Sequence, residues 1–155
     1  MKTDHTTQTL STVDFPGKFS SQTVAPYIAP DCEVHYEALK SGNLLLPHCA
    51  QCHRTGPPSG GCCPWCGGDE RSWQPAQSAP VIHSWVRYHR AYLPEFNDLV
   101  PYEVIAARFG DGPVLFGRWL AKDVTPVIGT EIRPVIERWA DGFCGVAFSE
   151  KDANL

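Results

Sequence analysis

The chain has 155 residues, of which 43% are hydrophobic, and a formal net charge of −4. That is enough apolar content for one packed domain with a small module attached, and too much for wholesale disorder. The acidic balance counts against a general nucleic-acid binder, whose affinity comes chiefly from neutralising phosphates. Apolar runs no longer than Val104-Ile105-Ala106-Ala107 exclude a membrane-spanning helix.

Fourteen prolines and thirteen glycines argue for short strands and loops over a helical bundle. The opening Met1-Lys2-Thr3-Asp4-His5 lacks the apolar core of a secretory signal. Seven cysteines in that setting read as those of a cytoplasmic metal protein, not of a disulfide scaffold.

Residues 1–30 are rich in Thr, Ser and Gln and show no sustained periodicity, which predicts a flexible arm. Phe15, Phe19, Tyr27 and Ile28 speak for the other option, an ordered extension that wraps a partner. Residues 31–46 predict a short helix and a lead-in strand. Asp31 is placed to cap the helix, Cys32, Tyr36 and Leu39 recur at helical spacing with His35 beside them, and Gly42 supplies a left-handed stop. Cys32 on the apolar stripe reads as a buried thiol, not a fifth metal ligand. Leu44-Leu45-Leu46 follows as a short buried strand.

Residues 47–75 carry the most specific signal. Cys49-Ala-Gln-Cys52 and Cys63-Pro-Trp-Cys66 are two Cys-x-x-Cys turns separated by ten residues. Each turn sets two thiolates on one side of a bend, and two such knuckles supply four sulfurs in the tetrahedron that structural Zn²⁺ prefers. Cys62 competes with Cys63 for the third position; Cys63 keeps the two-residue spacing and places Pro64 inside the turn. His48 and His53 border the first knuckle, but four spaced cysteines leave them no vacancy. A closed four-sulfur site builds structure. A redox role is disfavoured, because neither pair opens a helix after a strand. Four bound thiolates against one dication would lower the net charge by two, to about −6.

Residues 76–150 read as five strands. Val81–Tyr88 comes first, after the turn-like Ser78-Ala79-Pro80, and Tyr102–Phe109 second. Gly110-Asp111-Gly112-Pro113 turns the chain into Val114–Leu120. Gly117 inside that strand predicts a bulge or a close backbone approach. After an irregular crossover over 122–129 come Ile132–Trp139, part of it demoted to an edge by Pro134, and Phe143–Phe148, joined by Asp141-Gly142. Cys144 is a strand thiol. Five strands in this length fit a small, partly open OB-type barrel, and residues 151–155 form a tail. The fold class is therefore mainly β, with a short N-terminal helix, a rubredoxin-like zinc ribbon and a five-stranded OB barrel.

The order of these parts resembles the zinc-ribbon/OB-fold family that accompanies acyl-CoA enzymes, first named as a domain of unknown function. The match rests on Leu44–Cys52, Pro57-Pro58, Cys63–Gly67 and Trp73, and continues more loosely through Pro101-Tyr102, Phe109–Pro113, Gly117-Arg118 and Ile128-Gly129. The departures are Ser78-Ala79-Pro80, where relatives have a glycine-rich turn, and Cys62 and Asp69-Glu70. The resemblance implies a non-catalytic subunit that stabilises a thiolase-like, acyltransferase, hydratase or aldolase partner. It also implies CoA or acyl-CoA contact, for which Arg87, His89, Arg90 and Tyr92 form the densest cationic and aromatic cluster.

The alternative is a single-stranded nucleic-acid binder, since both modules and stacking aromatics suit it. Seven Lys/Arg against eight acids from Val81 to Phe148 weigh against that reading. Catalysis by His83, His89, Glu95 or Asp98 lacks any motif that fixes their geometry. No catalytic residue is assigned.

Overall fold

The computed structural model describes residues 9–17 and 27–153; Phe19 and the rest of the expected arm lie outside them. Among the described residues no helix is long and apolar enough to cross a membrane.

The chain begins with strand β1 (Thr12–Asp14) and enters helix α1 (Glu33–Lys40) through a 3-10 turn at Pro30–Cys32. Asp31 therefore sits inside the turn, where its Oδ1 accepts from the Cys32 thiol at 3.6 Å, and it does not cap the helix as expected. The other end follows the sequence. Gly42 is left-handed (φ 84°), its N–H donates to Leu39 O at 3.0 Å, and Asn43 N–H donates to Ala38 O at 2.9 Å. These are the paired bonds of a Schellman stop. Cys32, His35 and Leu39 are buried.

Strands β2 (Leu45–Cys49) and β3 (Arg71–Pro75) form a two-stranded antiparallel hairpin. Then come β4 (Pro80–Tyr88), β5 (Tyr102–Phe109), β6 (Val114–Arg118), β7 (Ile132–Arg138) and β8 (Cys144–Glu150). The five expected barrel strands are all present, split between the sheets β4-β5-β6 and β1-β7-β8.

The sheets are open. Single bridges at Val81–Glu131 and Trp119–Phe148 join them. At the second seam an added Cβ on Gly117 would lie 2.3 Å from Val146 O, which is the close approach expected of that glycine. β6 stops at Arg118, two residues short of expectation. Trp119 N–H instead donates to Glu103 O, and Leu120 N–H crosses the seam to Phe148 O, both at 2.9 Å.

Pro134 lies on a strand with neighbours on both sides, β1 and β8. Its nitrogen shares the parity of Ile136 N, which donates to Ser11 O at 2.9 Å. It therefore faces the β1 side, before β1 begins to pair at Thr12–Ile136. That half of β7 is an edge, so the missing N–H removes no ladder bond.

The arm departs most from expectation. Residues 12–14 are a parallel strand on β7, and Phe15 is buried against Trp139 and Phe96. Three residues carry too little pattern to read as a strand; Phe15 N–H to Arg138 O at 2.8 Å and Asp14 to Arg138 at 3.1 Å hold them.

One core cluster joins α1, the lead-in to the metal module and both barrel sheets. Leu39 of α1 and Leu44 and Leu46 of the lead-in segment share a cluster with Ile82, Ile105, Phe109, Trp119, Ile136 and Phe148.

Candidate metal centre

β2 delivers Cys49 into the first turn, and the two turns repeat one backbone pattern. His53 N–H donates to Cys49 O at 3.0 Å, and Gly67 N–H to Cys63 O at 2.9 Å. One residue later, Arg54 O accepts from Cys49 N–H at 3.0 Å and Gly68 O from Cys63 N–H at 2.7 Å. The residue four after the first cysteine is left-handed in both, His53 at φ 58° and Gly67 at φ 77°. Glycine tolerates that conformation without strain, whereas His53 is held in it by the turn's bonds. A Cβ on Gly68 would lie 2.6 Å from Gln51 Oε1, the end of an exposed side chain that can swing away.

The four sulfurs converge. Cys49 Sγ lies 3.6 Å from Cys66 Sγ, Cys52 Sγ lies 3.5 Å from Cys63 Sγ, and all four are within 4.8 Å of one another. A zinc–sulfur distance of about 2.3 Å sets the tetrahedron's edge at about 3.8 Å, whereas a disulfide needs about 2.05 Å. The spacing fits four ligands of one ion, and the cysteines are free.

Backbone donors are arranged for thiolates. The N–H groups of Cys52 and Gln51 hold Cys49 below the usual thiol range against its burial. Burial pushes Cys63 up, but the N–H groups of Trp65 and Cys66, with the Cys52 and Cys66 side chains, bring it down to about 6. Cys66 takes an N–H from Gly68, yet burial and the other three sulfurs push it up to about 12. Four thiolates at this spacing repel one another, and a bound dication would relieve that repulsion.

Cys63 is the cluster member, and Cys62 is exposed outside it. Cys32 and Cys144 are elsewhere, both buried, and burial pushes both thiols up. His48 and His53 face each other at 6.2 Å beside the first turn and are not in the cluster. The module is clamped to the barrel where the β5–β6 turn meets it: a Cβ on Gly112 would lie 3.2 Å from Thr55 O.

The second expected group is dispersed. Arg87 lines a cleft of about 750 Å³ with Tyr102, Arg118, Lys122 and Asp98. Its Nε donates to Glu103 at 2.6 Å. His89 and Arg90 are exposed in the following loop, and Tyr92, 76% exposed, meets Tyr88 edge-on at 6.3 Å. Among the acid/base candidates, His83 sits at the β4 bulge and accepts from Arg108 at 3.2 Å, while Asp98 lines the Arg87 cleft.

Sequence reasoning did not place Arg118 in that cleft. Its Nε and Nη2 both donate to Glu137 Oε1, at 2.9 and 2.6 Å, and its guanidinium lies 5.2 Å from the Phe15 ring. A signal was present: Arg118 follows the seam glycine, where the strand leaves its sheet.

The fold and the cysteine cluster together define a knuckle module in series with an open OB-type barrel. The solved structures that share this build are DUF35 proteins, which bears out the resemblance read from the sequence. A chain described as the Ltp2-ChsH2(DUF35) aldolase superposes with a TM-score of 0.68 at 25% identity, covering 81% of this chain and 98% of that one. A DUF35 protein of unknown function from Sulfolobus solfataricus gives 0.56 at 16% identity, covering 71% and 81%. Among curated proteins, a probable enoyl-CoA hydratase alpha subunit of Thermomonospora curvata is 30% identical over 87 residues, 56% of this chain. The chain spans 27% of that relative's length. No family model matches the chain.

Proposed function

We propose that this protein is a non-catalytic accessory subunit of an acyl-CoA-processing enzyme, with a structural Zn²⁺ held by Cys49, Cys52, Cys63 and Cys66. The observation that carries the reading is the match to nearly the whole DUF35 chain of the Ltp2-ChsH2 aldolase. The hydratase alpha-subunit relative supports an acyl-CoA substrate class. When bound, the ion supplies a cross-link between the two knuckles, and four sulfur ligands leave no open position for water. Of the expected cluster we assign Arg87 to CoA contact, supported by the cleft it lines with Arg118 and Lys122.

Affinity purification from the native host tests the assignment, with co-elution of an acyl-CoA enzyme as the expected result. Recovery of the protein alone, with thermal stability unmoved by CoA, refutes it. Metal analysis tests the site: Cys63→Ser should lose zinc and Cys62→Ser should keep it.

A further inference from the structure

A second cavity, of about 570 Å³, lies where the metal module's lead-in meets the barrel. It is at the Pro80 end of β4, seven residues and roughly 23 Å along the strand from Arg87. Its walls are about half apolar, from Leu10, Leu44, Phe109 and Pro134 among others, and half polar, from Ser11, Gln77, Ser78 and the charged groups.

Two cations line it. Lys151 is paired with Glu131 at 2.6 Å. Arg133 meets no carboxylate among the described residues, whereas Arg87, Arg118 and Arg138 each meet one. Its Nη1 donates to Ser11 Oγ at 3.1 Å, its Nη2 donates to Ala153 O at 2.5 Å, and its Nε is buried without an acceptor. A guanidinium carries five N–H groups, so one hydrogen is left on each terminal nitrogen. Those two hydrogens remain for the oxygens of a carboxylate.

A half-buried cation against hydrocarbon calls for an anion. Arg133 and Lys151 against Glu131 give the lining one net positive charge, in a chain whose total is −4. One charge matches a monoanion and not a phosphate dianion.

We propose that this cavity binds an apolar monocarboxylate, with Arg133 taking the carboxylate and Leu10, Leu44 and Phe109 the hydrocarbon. The site does not rest on the accessory-subunit reading, which stands whatever this cavity binds.

Octanoate is the probe, titrated calorimetrically into the full zinc-loaded chain. The expected result is saturable one-to-one binding, with 1-octanol weaker by more than about tenfold and Arg133→Gln reducing octanoate affinity similarly. Arg133 also ties Ser11 to Ala153, so Ala79→Trp provides a variant that leaves it intact. Ala79 is exposed on the cavity wall, and the indole should abolish octanoate binding without moving the urea midpoint. The proposal is overturned by equal affinities for octanoate and octanol, or by no saturable octanoate binding. Undiminished binding in Ala79→Trp, or in a folded Arg133→Gln protein, overturns it equally.

Discussion

Replacing Gly117 by alanine puts one methyl group into the seam between β6 and β8. The new Cβ would lie 2.3 Å from Val146 O and 3.0 Å from both Ala147 Cα and Phe148 Cε2. A carbon–oxygen contact of about 3.3 Å is comfortable, so the shortfall is about 1 Å. Two of these obstacles are backbone atoms of β8, which β7 pins through seven register pairs. The seam must open, which stretches the 2.9 Å bond from Leu120 N–H to Phe148 O and unseats the fully buried Phe148 ring. Overpacking of this kind costs about 1–3 kcal/mol and the weakened hydrogen bond about 1. Alanine's smaller unfolded-state entropy returns about 0.4–1 kcal/mol. The net is a loss of about 1–3.5 kcal/mol, read from urea denaturation of the zinc-loaded protein by tryptophan fluorescence. Gly61→Ala is the control, since its Cβ meets nothing within 4 Å, and it should be neutral or stabilising, by up to about 1 kcal/mol. If Gly117→Ala proves as mild as the control, the seam is not the tight closure argued here.

Arg118→Ala should lower the urea midpoint by an amount equivalent to about 3–5 kcal/mol, because it strands Glu137, whose side chain is 7% exposed, without its partner. Replacing both residues by leucine or methionine should recover much of that loss; a double variant as weak as Arg118→Ala refutes the buried-pair account. His35 supplies a pH test. Burial holds its imidazole below the usual range, against the hydrogen bond its Nδ1–H donates to Leu45 O at 2.8 Å. The neutral form is the folded one, so its contribution is complete above about pH 6.5 and is lost as pH falls toward the lower folded value, at up to about 1.4 kcal/mol per unit. His35→Gln should flatten the fall in stability between pH 7.5 and 5.5 relative to wild type, with acid loss of zinc common to both; parallel curves would refute the assignment.

Elements with their own signal were legible in the sequence. Tyr102–Phe109 is a strand at the expected bounds, because β-branched and aromatic residues end at a Gly-Asp-Gly-Pro turn. The helix stop at Gly42 and the choice of Cys63 over Cys62 followed from φ and spacing alone. What escaped is held by distant partners. Arg71–Pro75 has no strand-forming run and carried no strand prediction; it pairs because β2 and the two knuckles bring Arg71 opposite Cys49. Thr12–Asp14 is a strand because β7 offers it an edge. The four candidates over 87–92 looked like one cluster because they are adjacent in sequence, yet β4 ends at Tyr88 and carries Arg87 into a cleft while the rest enter a loop.

The cysteine cluster reaches further than the two turns that build it. The strands of the β2–β3 hairpin bracket the knuckles, since Cys49 ends β2 and Arg71, five residues after Cys66, opens β3. That hairpin carries Leu46, which is 1% exposed and packs in the same core as Phe148 and Ile105. Burying one such leucine contributes about 1.5–3 kcal/mol, so loosening the knuckles loosens barrel packing as well as the module. The Thr55–Gly112 contact ties the first knuckle's loop to the β5–β6 turn. On the proposed reading a bound Zn²⁺ would anchor the shared core, and any surface the barrel presents to a partner would depend on four sulfurs at the other end of the hairpin.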